Sequence, residues 1–278
     1  MNRRITLNDV LRIPYEEVVR HVSAFVKDLI EKAGVDKVVV GLSGGVDSST
    51  VLALLAKALG SNRVIGIIMP DTRITNPRDV EDAISLAKSF GIKHYIVEIN
   101  NIFDSYTALP FFDKNDRISN GNLRARIRMS ILYYYANRYN ALVAGTGDRS
   151  EILIGYYTKY GDGGADFLPI GSLYKTQVRR LASYLGLPKN IVEKPSSPGF
   201  WIGHLAEEEL GLKYEVIDLV LYALFDKGLK PSEVPEYTGI SRSIVDRVLE
   251  MHRRSRHKRI FPPVPIFPWM KIEPIREI

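Results

Sequence analysis

The sequence predicts an α/β fold: a doubly wound parallel sheet flanked by helices, followed by a small C-terminal helical appendage. Three observations carry that expectation. Over the first half of the chain, short β-branched runs alternate with helical apolar spacing across short links. A Ser-Gly-Gly turn stands between the first of these runs and the helical stretch behind it. Beyond residue 205 the apolar spacing is helical only.

Residues 14–33 open with Pro14 and repeat Val18, Val22, Phe25, Val26, Leu29 and Ala33 at helical spacing, stopped by Gly34. Residues 35–42 read as the first strand and 47–59 as a helix closed by Gly60. The run 64–69 is a second buried-type strand. Asn76-Pro77 starts another helix, which ends at Gly91, and 92–99 is the third strand. Residues 100–118 show no clear period. The stretch 120–139 is helical, 141–144 is a fourth strand, and 174–185 is a helix stopped by Gly186 and Pro188. Residues 214–225 and 241–254 are the helices of the appendage. The expected division is a core at 1–204 and a helical segment with a basic, proline-rich tail at 205–278, together one compact unit. The prolines between 261 and 275 predict an extended surface tail.

The first strand, Val38-Val39-Val40, leads into Gly41-Leu42-Ser43-Gly44-Gly45-Val46-Asp47-Ser48. Glycines there let the backbone come close to a ligand. N–H groups of the loop and the first helical turn then face one point, which suits phosphate. Asp47 is out of place beside phosphate unless it holds Mg²⁺, which bridges carboxylate and phosphate oxygens. No Gly-Lys-Ser/Thr follows, so this is not the Walker loop. Gly145-Thr146-Gly147-Asp148 with Glu151 follows the fourth strand, which topology sets beside the loop, so Asp47 and Glu151 are expected to share one Mg²⁺. Residues 70–75 sit at the end of the second strand, as a nucleobase contact or a plain loop. Arg124, Arg126 and Arg128 read as phosphate or carboxylate contacts or as a solvated basic turn. Residues 124 and 128 share a face, and 126 points elsewhere. Residues 155–165 carry four glycines and read as a mobile lid.

Composition excludes several classes. The chain has 278 residues, 45% of them hydrophobic and 25% charged, as in ordinary globular proteins. No apolar run is long enough for a membrane span, and Met1-Asn2-Arg3-Arg4-Ile5-Thr6 lacks the apolar core of a signal peptide. A cytoplasmic protein is expected. Cysteine is absent, which excludes disulfides, thiolate zinc sites and a cysteine nucleophile. Of the net charge of +6, residues 242–259 contribute +5, with seven Lys/Arg against Asp246 and Glu250. Such a cluster suits a polyanionic ligand, a subunit contact or a solvated helix face, rather than a nucleic-acid surface.

Ser43-Gly44-Gly45-Val46-Asp47-Ser48 resembles the pyrophosphate loop (SGGxDS) of the N-type ATP pyrophosphatases, which have the adenine nucleotide alpha hydrolase-like fold. Further motifs stand in one order: Asn122-Leu123-Arg124-Ala125-Arg126-Ile127-Arg128-Met129, Gly145-Thr146-Gly147-Asp148 with Glu151, Lys159…Asp166…Lys175, and His257-Lys258-Arg259. Together they resemble the ammonia-dependent NAD synthetases from about residue 15 to 260. The resemblance implies that Gly41, Leu42, Ser43, Gly44, Gly45, Val46, Asp47 and Ser48 hold ATP phosphates, with Asp47 and Glu151 on Mg²⁺. It implies ATP contacts from Thr146, Lys175 and Ser197, where the family often has threonine in place of Ser197. It further implies deamido-NAD contacts from Arg126, Lys159, Asp166, His257 and Lys258. Asp47, Glu151 and Lys175 are the implied catalytic set. The implied reaction joins ATP, deamido-NAD and ammonia through an acyl adenylate, in a homodimer. The helices at 14–33 and 122–139 are the expected interface elements. Glutamine-dependent relatives carry an amidase domain with a cysteine nucleophile, for which this sequence has neither the length nor the cysteine. A tRNA-modifying lysidine synthetase shares SGGxDS, but Arg126 and His257-Lys258 count against it. A noncatalytic nucleotide-binding subunit leaves Asp47, Glu151 and the lysines without a task.

Overall fold

The computed structural model describes residues 4–265 together with Pro268 and Trp269. In chain order the elements are α1 (Leu7–Leu11), α2 (Tyr15–Ala33), β1 (Lys37–Gly41), α3 (Val46–Leu59), β2 (Val64–Ile68), α4 (Pro77–Ser89), β3 (Lys93–Ile96), α5 (Asn100–Ser105), α6 (Arg117–Tyr139), β4 (Ala141–Ala144), α7 (Arg149–Ile154), α8 (Lys175–Tyr184) and α9 (Lys189–Val192). There follow α10 (Ala206–Leu210), α11 (Tyr214–Leu221), α12 (Val234–Thr238), α13 (Arg242–Arg254) and α14 (Arg256–Arg259).

The strands form one parallel sheet in the order β3-β2-β1-β4, with Val40 opposite Gly66 on one side and Ala144 on the other. The chain winds outward from β1 to β3, then crosses back to lay β4 on the free side of β1. The reversal opens a crevice at the carboxyl ends of β1 and β4, where doubly wound sheets bind ligands.

Strand alternation decides which helices cover which face. Val38, Val40, Val64 and Ile68 join a core with α2, α3, α4, α8 and α9. Val39, Ile65 and Ile67 point the other way, toward Phe103 of α5 and Ile127 and Ala136 of α6. Gly66 lies on the first face by the same alternation, and it is glycine because Leu42 fills the space: a Cβ there would meet Leu42 Cδ1 at 2.6 Å. A third core joins α1, α7 and α10–α13 through Val10, Ile154, Tyr214, Ile217, Val220 and Val245. That core draws Val10, Ile154 and Tyr174 from the N-terminal side of residue 204, so the appendage and the sheet domain are knitted together. Among the described residues, no helix is long and apolar enough to cross a membrane.

Several boundaries differ from the sequence expectation. The third strand is only Lys93–Ile96, an edge strand with Ile96 exposed. The stretch 100–118, without a period in the sequence, forms α5 and the start of α6. Asp116 caps α6, accepting the N–H of Ser119 at 2.9 Å, so the helix begins before residue 120. α11 widens into a π turn, Tyr222–Asp226. His257, Lys258 and Arg259, expected just past the last helix, lie within the short helix α14. Of the proline-rich tail, 266, 267 and 270–275 lie outside the described residues, and 261–265 are exposed and in neither helix nor strand.

Candidate functional site

Gly45 is the N-cap of α3, and Gly44 is left-handed at φ +76°. The loop is fastened on itself: Ser43 N–H donates to Ser48 Oγ at 3.2 Å, and Gly45 N–H to Ser43 Oγ at 3.3 Å. Behind it runs the first turn of α4. A Cβ on Gly44 would lie 2.1 Å from the Asp79 carbonyl oxygen, so only glycine fits.

Beside the loop, four residues from three elements converge. Lys175 Nζ lies 2.7 Å from Asp47 Oδ2, 2.8 Å from Glu151 Oε1 and 2.8 Å from Asp148 Oδ2. Asp47 comes from α3, Lys175 opens α8, and Asp148 and Glu151 form the capping box of α7. In that box the Glu151 N–H donates to Asp148 Oδ1 at 2.8 Å and the Asp148 N–H donates to Glu151 Oε2 at 3.2 Å. A lysine at a helix N-terminus opposes the helix dipole, and here three carboxylates compensate. Burial alone would depress the Lys175 ammonium, but Asp148, Asp47 and Glu151 outweigh it and hold its pKa well above that of ordinary lysine. Burial, then the Asp148 and Asp47 charges, push the Glu151 carboxyl well up against the pull of Lys175. Burial likewise raises Asp148. One cation thus faces three carboxylates, and the buried Asp47 Oδ1 has no hydrogen-bond partner. The donor set therefore has capacity for further positive charge.

Of the other expected site residues, Thr146 is half-buried at the end of β4, and exposed Ser197 accepts the Gly199 N–H at 3.1 Å. Gly41 and Leu42 lie where β1 runs into the loop. The three arginines divide as the helix period predicts. Arg124 Nε donates to Asp71 Oδ2 at 2.8 Å and Arg128 Nε to the Met69 carbonyl at 2.9 Å, both inward. Arg126 is exposed and reaches the Lys159 carbonyl at 3.3 Å. Arg124 and Arg128 are therefore structural ties rather than solvated cations. Burial pulls the Asp71 carboxyl up, yet its hydrogen bonds to Arg73 and Arg124 bring it down to about 2.

Asp166 accepts the Val143 N–H at 2.7 Å and the Tyr133 hydroxyl at 3.1 Å. Lys159 Nζ lies 5.2 Å from the Tyr160 ring centroid. Lys258 folds onto its own chain, donating to the carbonyls of Gly155 at 2.7 Å and Tyr157 at 2.5 Å. Exposed His257 lines the same groove with Gly155, Tyr156 and Glu209. The glycines of 155–165, which the sequence reads as a mobile loop, also permit close approach. A Cβ on Gly161, Gly163 or Gly164 would come within 3 Å of Thr158, Tyr157 or Met129. Thr158 is tied to Asn122 and Asp162 by hydrogen bonds of 2.6 and 2.8 Å.

Sequence reasoning assigned no role to several residues that shape the site. Asp148 was visible in principle, since Asp-x-x-Glu before an apolar run is a capping-box signature. Asp218, Lys194 and His204 had no local signal. His204 stacks on Trp201 with ring centroids 3.5 Å apart and meets Glu209 at 2.8 Å. Phe200 lies over Gly121, where a Cβ would stand 2.1 Å from the ring.

An all-parallel sheet with a Ser-Gly-Gly loop at its switch point, flanked by a lysine-carboxylate cluster, defines a nucleotide-binding α/β enzyme. Residues 18–262 match the family model described as NAD synthase. The chain is 62% identical to the NH(3)-dependent NAD(+) synthetase of Staphylothermus marinus over 274 residues, 99% of each chain. Among solved structures, the NMN synthetase of Francisella tularensis is 33% identical with a TM-score of 0.80, over 92% of this chain and 100% of that one. The NH3-dependent NAD synthetase of Campylobacter jejuni is 31% identical with a TM-score of 0.77, over 91% and 100%. The chain belongs to the NAD synthase family.

Proposed function

We propose that this enzyme amidates deamido-NAD to NAD with ammonia and ATP. The observation that carries the reading is the convergence of Asp47, Glu151 and Lys175 at the edge of the pyrophosphate loop. Family membership supports it over the whole chain. A nicotinate carboxylate oxygen attacks the α-phosphorus of ATP, and the bond to the β-phosphate oxygen breaks, releasing pyrophosphate. Ammonia then attacks the acyl carbon. AMP leaves with the carboxylate oxygen, and one proton goes to solvent.

In this reading the loop amides, with Ser43 and Ser48, hold the phosphates, and Thr146 and Ser197 contact ATP. Lys175 offsets the charge that develops on the leaving pyrophosphate. Arg126, Lys159, Asp166, His257 and Lys258 hold deamido-NAD. Asp47 and Glu151 would hold Mg²⁺. The unpartnered Asp47 oxygen and the excess of carboxylates fit such an ion, which supplies Lewis-acid charge at the phosphates. Among the described residues, no group of three or more His, Asp or Glu side chains is disposed to hold a metal, and phosphate oxygens and water complete a Mg²⁺ shell in nucleotide sites. The reading includes a cytoplasmic homodimer with α2 and α6 at the interface. An apolar patch of Val97, Ile102, Tyr106, Ile131 and Tyr134 supports α6 in that place.

The test is release of AMP and pyrophosphate from ATP, with and without deamido-NAD and ammonium. AMP that needs both, in step with NAD, is the expected result, and AMP release indifferent to deamido-NAD overturns it. Glutamine in place of ammonium should give no turnover, since no cysteine is present for amide hydrolysis. Nicotinate mononucleotide, run as a competing acid, reads out whether the dinucleotide is preferred.

A further inference from the structure

One lysine outside the cluster touches the pyrophosphate loop from behind. Lys194 follows α9 and directly precedes the Pro195-Ser196-Ser197 stretch. Its Nζ donates to the Gly44 carbonyl at 2.9 Å, to Asp79 Oδ1 at 2.8 Å and to Asp82 Oδ2 at 2.6 Å. An ammonium has three N–H donors, and all three are engaged. Lys194 therefore has no donor left to offer a phosphate. Asp82 is itself held from α9, accepting Asn190 Nδ2 at 2.8 Å.

The consequence for the loop follows from the peptide unit. In a trans peptide the carbonyl and the next N–H point in opposite directions. Lys194 draws the Gly44 carbonyl toward α4. The Gly45 N–H is thereby turned the other way, to the side where Ser43 Oγ receives it. Were that peptide to flip, the Gly45 N–H would leave Ser43 Oγ, and a carbonyl dipole would take the place of a donor on the α3 side of the loop. Gly44, free of a Cβ and at φ +76°, is a residue at which such a flip is sterically easy. The same ammonium also lies three residues ahead of Ser197.

We propose that Lys194 is a positioning residue, which fixes the Gly44–Gly45 peptide in its anion-binding orientation and ties the pyrophosphate loop to the segment carrying Ser197. This rests on the reading of the loop as the ATP phosphate site. Lys194 acts through the loop and touches no substrate.

The experiment is calorimetric binding of inorganic pyrophosphate with Mg²⁺ present, alongside steady-state kinetics, on wild type and Lys194→Met. Lys194→Met should weaken pyrophosphate binding and raise the KM for ATP by about tenfold, the worth of one charge-assisted hydrogen bond. The KM for deamido-NAD should stay within about twofold, since the substitution removes no contact to that substrate. A pyrophosphate affinity equal to wild type, or equal rises in both KM values, overturns the proposal. Lys194→Arg keeps the charge beside Asp79 and Asp82, but its planar fork does not match three acceptors around one nitrogen. It should fold, and it should show the same selective loss for pyrophosphate. If Lys194→Met fails to fold, Lys194→Arg decides by the same criterion. Failure of the wild type itself to bind pyrophosphate would count against the phosphate-site reading and not against the role of Lys194 alone.

Discussion

The Asp218 carboxylate of α11 caps the helix that begins at Lys175. Asp218 Oδ2 accepts the N–H of Thr176 at 2.8 Å, and Oδ1 accepts the Ser150 hydroxyl at 2.5 Å. Ser150 Oγ in turn accepts the N–H of Lys175 at 2.9 Å. A residue of the helical appendage thus orients the first turn of α8, whose first side chain enters the carboxylate cluster. These bonds add a polar tie to the apolar core that the appendage shares with the sheet domain. Lys175 is positioned by both.

Asp218 is fully buried, and burial pushes its carboxyl up to about 7, against the pull of the Ser150 and Thr176 hydrogen bonds. The folded form therefore holds a proton that the unfolded chain, at 3.8, has given up. Between these values the native state binds more protons, so the contribution of this group falls as pH rises, and its cost is complete above pH 7. Asp218→Asn keeps an acceptor for Thr176 and does not ionise. Its melting temperature relative to wild type should be higher at pH 8 than at pH 5, by about 3 °C or more. Thermal denaturation at the two pH values measures this, and parallel curves would remove Asp218 from the titration.

Replacing Lys175 should cost stability and activity together. Lys175→Met leaves Asp47, Asp148 and Glu151 without the cation that holds them. Breaking a buried ion cluster from one side costs about 3–5 kcal/mol. Turnover should fall by more than about a hundredfold, from loss of preorganised positive charge. Denaturant unfolding and AMP release measure the two effects. A stable Lys175→Met with unchanged turnover would detach the cluster from the chemistry.

The sheet was legible in the sequence because its strands are β-branched runs and its links are short. Asp47, Glu151 and Lys175 were legible through motif order, and the structure brings them to one point. Arg124 and Arg128 were ambiguous, because the sequence does not show that Asp71 and the Met69 carbonyl wait 53 and 59 residues upstream. Lys194, Asp218 and His204 gave no signal for the same physical reason. Their partners are fixed by tertiary packing, and a lone Lys, Asp or His carries no period. The close approach at glycines 161, 163 and 164 was not legible, because composition alone does not separate it from conformational freedom.

Gly44 and Gly60 make a matched pair for testing the loop. Both have positive φ, +76° and +81°. A Cβ on Gly44 would strike the Asp79 carbonyl, whereas one on Gly60 would meet nothing within 4 Å. Each Gly→Ala should cost about 1–3 kcal/mol in backbone strain. Gly44→Ala alone should also displace the loop and weaken pyrophosphate binding by more than about tenfold, a loss of about 1.4 kcal/mol or greater. Equal pyrophosphate affinities in the two variants would mean that the contact with Asp79 does not shape the site.

Lys258 combines two tasks that mutagenesis can separate. Its Nζ bonds the carbonyls of Gly155 and Tyr157, and the Tyr157 hydroxyl donates back to the Lys258 carbonyl at 2.7 Å. The pair fastens the start of the 155–165 segment to α14. Lys258→Ala should loosen that segment, and proteolytic cleavage between 157 and 165 should quicken. Its KM for deamido-NAD should rise by about tenfold and its KM for ATP by less than about twofold, because ATP phosphates are held at the other loop. Tyr157→Phe removes only the return bond and leaves the ammonium in place. If Lys258 merely holds the segment, the rise in deamido-NAD KM should follow the quickening of proteolysis in both variants. If its charge also meets the dinucleotide, most of the tenfold rise in Lys258→Ala should be absent from Tyr157→Phe, whose deamido-NAD KM should stay within about twofold of wild type. An unchanged deamido-NAD KM in Lys258→Ala would take the basic end of the chain out of the site altogether.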